Sequence, residues 1–436
     1  MARGGPPLKL LKAARVIDGR GGPPIESGAV LIEGEDIRAV GPQTEVVAPD
    51  GAAVEVADYA GRTLMPGMVD AHTHHNGFGD GRRGDDLATL PDEVLTLQSA
   101  RNARTSLFSG VTSIRENGPK NETTLRLRDA INQGITVGPR MVLCGQPMAI
   151  VGGHMWYMGI ESTGVEEARR QTRRLIKDGA DYIKITATGG STRTSLPLRP
   201  SFNVDELKAI TSEAHRFDKL TATHCSSTEG IVRSLDAGVD MIIHCVFQEP
   251  DGSDNYRRDV AERIVEQGAF VNPTLHVYRG MAWALEEKRL LGSVTPAEQQ
   301  TLDEFARGFD TRLEHSRRLI ELGARVITGS DSSWGDYKLG NTPYETECLV
   351  MAGYTPRQAV ASVTGMSAES IGLDGKVGTL EPGKAADVIV VDGNPDEDVS
   401  ALWNVAEVFF NGARVDRGSP ESRSALRQLP PGPDSR

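Results

Sequence analysis

The sequence predicts an α/β protein: a (β/α)8 TIM barrel with a small β-sandwich domain formed by the N- and C-terminal segments. Three observations carry that expectation. Eight short apolar segments alternate with helical stretches through the middle of the chain, the pattern of repeated βα units. Both ends instead carry short β-like runs punctuated by Gly and Pro clusters. No GxGxxG opens after the first segment of the alternation, which argues against an open doubly wound sheet. The expected division is 1–65 and 367–416 for the sandwich, 66–366 for the barrel and 417–436 for a disordered tail.

The elements follow in order. The N-terminal runs are Leu8–Val16, Ala29–Ile32 and Ile37–Val40. The barrel strands are Met68–His74, Val111–Arg115, Arg140–Cys144, Asp181–Thr186, Leu220–His224, Met241–Cys245, Ala269–Pro273 and Arg325–Asp331. Helical patterns separate them, among them Val165–Lys177, Val204–Phe217, Glu229–Ala237 and Arg258–Gln267. Gly110, Gly179, Gly238, Gly268 and Gly323 stand where helices end before the next strand. Leu290–Thr295 reads as a loop, and Thr295 with Glu298 forms a capping box that opens a long helix over Pro296–Leu322. The C-terminal runs are Ala386–Val391 and Val405–Phe410, and Asn411-Gly412 then signals a hairpin.

The composition bounds the function. The chain has 436 residues, a net charge of −12 and 38% hydrophobic residues, an ordinary globular profile. An acidic chain is a poor nucleic-acid ligand. No run approaches the ~20 apolar residues of a membrane helix. The start of the chain lacks the apolar core of a secretory signal. Cys144, Cys225, Cys245 and Cys348 form no CxxC, which suits reduced thiols in the cytoplasm.

A barrel's chemistry sits at the C-terminal ends of its strands. Four of the nine histidines fall there: His72 and His74 at the end of the first strand, His224 at the end of the fifth and His244 at the end of the sixth. Residues i and i+2 share a face, so His72 and His74 can ligate one cation. His224 and His244 come from adjacent strands. Asp331, ending the eighth strand, adds an oxygen ligand and a proton acceptor. Lys184 lies in the fourth strand among apolar neighbours, where burial would lower its pKa. Singly, each of these could be a core or capping residue; together they predict a metal site. Imidazoles favour Zn, with Co or Mn possible. Alternation turns Cys225 and Cys245 away from it. Arg193 and Arg199, on the loop after the fourth strand, are candidate clamps for an anionic substrate. His276 and Tyr278 follow the seventh strand and are further candidates for the pocket wall. Trp156, Tyr157 and Trp334 are candidates either for an apolar wall facing an aromatic substrate or for the core. His215 and His315, on helices, are expected to face solvent.

These residues resemble the amidohydrolase superfamily. Met65 through His74 (MPGMVDAHTH) is similar to its opening signature, and Val377 through Asp387 (VGTLEPGKAAD) to its closing one. The carboxylated-lysine binuclear subtype matches best. That resemblance implies two divalent metal ions: His72, His74 and Asp331 at the first, His224 and His244 at the second, and N6-carboxylated Lys184 bridging them. A metal-bound hydroxide would be the nucleophile and Asp331 the proton carrier. Gly152-Gly153-His154 and KITATGG from Lys184 resemble imidazolonepropionase-like hydrolases and Xaa-Pro dipeptidases, which implies a catalytic hydrogen bond from His154. Where those dipeptidases read HAY or HAH, this chain reads His224-Cys225-Ser226. The implied reaction is cleavage of an amide-type C–N bond in a dipeptide or N-acyl amino acid. Carbamate or phenylurea hydrolysis is the alternative, since His75-Asn76 resembles hydrolases of those compounds, with lactone or cyclic-amide hydrolysis third. The only partner implied beyond a small-molecule substrate is a further copy of the chain.

Overall fold

The computed structural model describes residues 7–334 and 337–418. All eight barrel strands form, as Met68–Thr73, Val111–Glu116, Arg140–Leu143, Ile183–Thr186, Thr221–His224, Met241–Ile243, Phe270–Asn272 and Arg325–Val326. They run parallel in two hydrogen-bonded sets, strands one to three and four to eight. Backbone bonds join the sets into a ring. Asp181 N donates to Leu143 O at 2.7 Å between the third and fourth strands, and Asp331 N to His72 O at 2.8 Å between the eighth and first. Most strands are buried on both faces, which is why they read as apolar runs rather than alternations.

The outer helices have clear local causes. Val165–Lys177 places Glu166 and Glu167 in its first turn and Arg174 and Lys177 in its last, complementing the helix dipole. It buries Ala168, Gln171, Thr172 and Leu175, one stripe at i, i+3, i+4 and i+7. The long helix spans Pro296–Leu322 as expected, opened by the Thr295–Glu298 capping box and closed by Gly323 in the left-handed region.

The two ends of the chain build one β-rich module. Leu8–Val16 pairs with Gly28–Glu33 and with Val54–Pro66; Val54–Pro66 pairs with Val388–Val391, which pairs with Val405–Phe410. Seven strands follow a single hydrogen-bonded path, and an eighth, Ile25–Glu26, pairs off it with Leu8–Val16. Gly28–Glu33 is buried on both sides: Val30 and Ile32 pack with Leu11 and Val388, and Ala29 and Leu31 with Leu8, Leu10 and Val46. Val54–Pro66, absent from the sequence expectation because polar residues fill its first half, runs directly into the first barrel strand. At the junction a Cβ on Gly67 would collide with the Thr112 side chain, so glycine is required there. The closing motif docks this module on the barrel: Asp387 faces Arg140 of the third strand at 3.3 Å and accepts from Asn411 N at 2.9 Å.

The expected tail begins with a docked residue. Arg417 is buried, and its guanidinium donates to Phe108 O at 2.9 Å and Val405 O at 3.0 Å. Its charge meets carbonyls at the end of the helix Asp92–Phe108, where a cation is favoured. The remaining tail positions from 419 onward lie outside the described residues.

Candidate metal centre

The barrel's strand ends gather the expected side chains. His72 Nε2 and His74 Nε2 lie 3.2 Å apart. Asp331 Oδ1 lies 3.2 Å from the first and 3.1 Å from the second. Among the described residues these three form the one group of His, Cys, Asp and Glu atoms arranged to hold a metal ion. His224 and His244 are neighbours, with ring centroids 4.5 Å apart, and the His154 ring lies tilted against His224 with centroids 4.4 Å apart. Lys184 is buried and lines the same cavity of about 540 Å³ as all five histidines and Asp331. A larger hollow of about 670 Å³ lies at the opposite end of the strands, around Leu220, Asp240 and Ala269, away from these groups.

The backbone is strained where the chemistry gathers. His244, Cys245, Thr274 and Asp331 have φ of 65°, 52°, 51° and 54°. Non-glycine residues enter this region rarely, at a cost usually met at functional sites. Asp70 helps hold the eighth strand's end. It accepts from Ser330 N at 2.9 Å and Thr342 Oγ1 at 2.7 Å, and from His72 N at 3.1 Å.

Hydrogen bonds decide which nitrogens are free. Asn272 Nδ2 donates to Gly329 O at 3.0 Å, which turns its Oδ1 toward His72 Nδ1, also at 3.0 Å. The His72 proton therefore sits on Nδ1, and its Nε2 lone pair faces His74 and Asp331. His224 Nε2 lies 3.0 Å from Gly189 O, so its proton is there and its Nδ1 is free. Burial, reinforced by Lys184 and neighbouring imidazoles, holds His72 well below its ordinary pKa. Burial takes His244 down to about 4 and His154 to about 3. Neutral imidazoles with converging lone pairs beside a carboxylate are a donor set for a divalent transition ion, so the residues fit the metal.

The acid–base groups differ. Burial works to raise the Asp331 carboxyl, but its hydrogen bond to His74 and the charges of His74, His244 and Lys184 hold it below its ordinary value. Burial pushes Lys184 down to about 8, opposed by Asp331. Glu116, at the end of the second strand, is pushed up to about 8 by burial, against backbone donation from Gly118 and His75.

Other expected residues divide. Tyr278, Tyr157 and Trp334 line the cavity; Trp156 is exposed and does not. Arg193 and Arg199 do not line it. Their loop folds back on itself, with Gly189 N donating to Arg199 O at 3.0 Å, and both side chains emerge into solvent. Arg193 there pairs with Asp86 at 3.1 Å. His276 is also outside the cavity. It is fully buried against Tyr337, Trp283 and Tyr344, because the helix Leu275–Gly280 turns it inward. His215 is half-exposed and bonds Asp240 at 2.8 Å. His315 is buried against Phe247 and Tyr256, contrary to expectation, because it lies on the inward stripe of the long helix with Phe309 and Leu319. Cys225 and Cys245 are buried packing residues.

Two contributors escaped the sequence reading. Asn272 ends the seventh strand, the same position that marks the ligands, so a signal existed. Arg312 lies within the long helix and gave none. Gly190 has a packing reason: a Cβ there would fall 2.7 Å from three atoms of the His154 ring, whose Nδ1 is held by Thr192 Oγ1 at 2.9 Å. Asn272→Ala should weaken metal affinity roughly 10–100-fold, as loss of such outer partners does. Competition with a chelator checks this; unchanged affinity would detach Asn272 from the centre.

A sequence profile of the amidohydrolase family matches residues 63–415. Ochratoxinase of Aspergillus niger is 27% identical, with 94% of this chain and 87% of the relative aligned. Imidazolonepropionase of Geobacillus kaustophilus is 26% identical over 90% of each chain. The crystal structure of a Xaa-Pro dipeptidase with methionine bound in its active site superposes with a TM-score of 0.79. It is 26% identical, covering 94% of this chain and all of that one.

Proposed function

The chain belongs to the amidohydrolase family and is a hydrolase of C–N bonds, and on that premise we propose that it cleaves an amide-type bond in a small dipeptide or N-acyl amino acid. The observation that carries the reading is the convergence of His72, His74 and Asp331 at 3.1–3.2 Å on the floor of a substrate-sized cavity. The names of two relatives, a dipeptidase and an imidazolonepropionase, support amide chemistry.

In this reading His72, His74 and Asp331 would hold one divalent ion and His224 and His244 a second, and Lys184, once N6-carboxylated, would supply oxygen donors to the pair. Zinc is the expected metal, with cobalt and manganese compatible with the same donors. The ions, when bound, supply a water of lowered pKa and polarise the scissile carbonyl. The chain's own residues do the rest. Asp331 accepts the proton of the attacking water as its oxygen bonds to the carbonyl carbon, then passes that proton to the departing amine as the C–N bond breaks. His154, kept neutral by burial, can donate an N–H to the carbonyl oxygen without carrying charge. Tyr157, Trp334 and Met155 wall the cavity and exclude water.

The test is a panel of N-acyl amino acids, Xaa-Pro dipeptides, aryl carbamates and phenylureas, offered to the purified protein supplemented with zinc, cobalt or manganese. Turnover of the first two classes, abolished by a chelator, is expected. Turnover of carbamates or ureas alone would replace the substrate class. Turnover that survives metal removal would sink the metal reading itself.

A further inference from the structure

We propose that Arg312 receives the carboxylate of an N-acylated amino acid, as the residue that sets substrate class at this site. The inference rests on the amide-hydrolase reading and narrows it. Arg312 lies on the long helix Pro296–Leu322 and lines the cavity that holds the histidines and Asp331. Its side chain is only 12% exposed, and its guanidinium sits 4.6 Å over the Tyr278 ring. Its one carboxylate neighbour, Asp254, is 3.6 Å away, beyond the ~2.7–2.9 Å of a charge-assisted hydrogen bond. Gly308 O is at the limit of hydrogen bonding, 3.5 Å. The buried Nε has no partner at all. A desolvated arginine N–H without an acceptor is costly, and a planar carboxylate satisfies Nε and Nη together.

Two other arginines on the lining are already engaged. Arg82 pairs with Asp80 at 3.1 Å and stacks on Phe78, and Arg83 donates to Ser191 O at 2.6 Å. Both are about half exposed, so solvent satisfies what remains. Of the three lining arginines, Arg312 is the one held dry and under-satisfied.

The anions on the lining complete the argument. Among the described residues Asp331 is the only acidic side chain there, and the proposed chemistry occupies both it and the Lys184 carbamate. A dipeptide's α-ammonium would enter with no counter-charge and lose its hydration. An acyl group in the same place would instead meet the apolar side chains of Val277, Met281, Phe305 and Trp334. The cavity thus favours one negative end and one uncharged end.

Three substrates separate the possibilities: 3-phenylpropanoyl-leucine, its leucinamide counterpart, and phenylalanyl-leucine. The second lacks the carboxylate; the third adds only an ammonium. The enzymes are metal-loaded wild type, Arg312→Met and Arg312→Lys, with metal content measured for each. In wild type the acid should exceed the amide in kcat/KM. Arg312→Met should shrink that preference on the order of 100-fold, mainly through KM, with part restored by Arg312→Lys. Phenylalanyl-leucine should be at least ~10-fold poorer than its desamino analogue. An equal loss on acid and amide would assign Arg312 a structural role and overturn the proposal, as would an unchanged preference. Phenylalanyl-leucine as good as the desamino compound would overturn its N-acyl half. If wild type cleaves none of the three, the amide-hydrolase reading fails. Calorimetric binding of 3-phenylpropanoyl-leucine then decides the Arg312 assignment, which stands if wild type binds it and Arg312→Met does not, and falls otherwise.

Discussion

Lys184→Ala is expected to remove nearly all turnover and at least one equivalent of metal. The loss should exceed the roughly 10–100-fold typical of an outer-shell partner, because in the proposed centre the residue would hold the ions directly. Lys184 is buried beside His72, His74, His224, His244 and Asp331, and burial lowers its amine to about 8. The direction matters. A depressed lysine pKa means that the neutral amine is already populated near neutral pH and grows as pH rises through about 8. Only the neutral amine adds carbon dioxide. Reloading of the metal-free protein should therefore be faster at pH 8 than at pH 6, and faster with added bicarbonate. Short carboxylic acids should restore part of the activity of Lys184→Ala by standing in for the missing carbamate. Metal analysis and rates on the same preparation check this. An active Lys184→Ala protein with its full metal complement would remove the bridging role.

The barrel was legible because its buried parallel strands are short segments rich in apolar residues, regularly alternating with helical stretches, and because several of them end in His or Asp. His72, His74, His224, His244 and Asp331 were found from that position alone. The same strand-end logic would have reached Asn272, whose Oδ1 lies 3.0 Å from His72 Nδ1. Arg193 and Arg199 misled because sequence proximity to the fourth strand says which loop they occupy, not which way it folds. Backbone bonding between Gly189 and Arg199 folds that loop so that Pro197 and Leu198 line the cavity while both arginine side chains reach solvent. Arg312 shows the converse. It is far in sequence from every ligand and lies on a helix, so only the packing of that helix against the mouth brings it to the cavity. His315 was misplaced by the same kind of ignorance, since a helix's inward stripe depends on its neighbours as well as its period. Val54–Pro66 was lost because its exposed first half reads as loop.

Asp331→Asn should lower kcat by about 10²–10⁴, the usual contribution of a positioned acid–base group. The substitution isolates the proton from the shape. Asp331 has φ of 54°, a left-handed conformation that asparagine tolerates about as well as aspartate. Its backbone N–H to His72 O at 2.8 Å, and its carbonyl's bond from Tyr337 Oη at 3.0 Å, survive the change. The fold and the loop should therefore persist, and thermal unfolding should move little. An amide cannot accept the proton, so turnover should fall even when metal is saturating. Its own N–H would also face His72 and His74, which weakens the first ion's site, so metal content must be measured beside the rate. The pH profile adds a separate check. The wild-type carboxyl is held below its ordinary pKa, so its basic form persists as pH falls and is lost only below the usual carboxylate range. The acid limb that this loss sets should be absent from the residual activity of Asp331→Asn. Asp331→Ala is the harsher variant, since alanine gains nothing at positive φ and leaves the two imidazoles without a partner. If fully metal-loaded Asp331→Asn kept more than half the wild-type kcat, proton transfer would have to be assigned elsewhere. Glu116, buried and raised to about 8, would be the first residue to examine in its place.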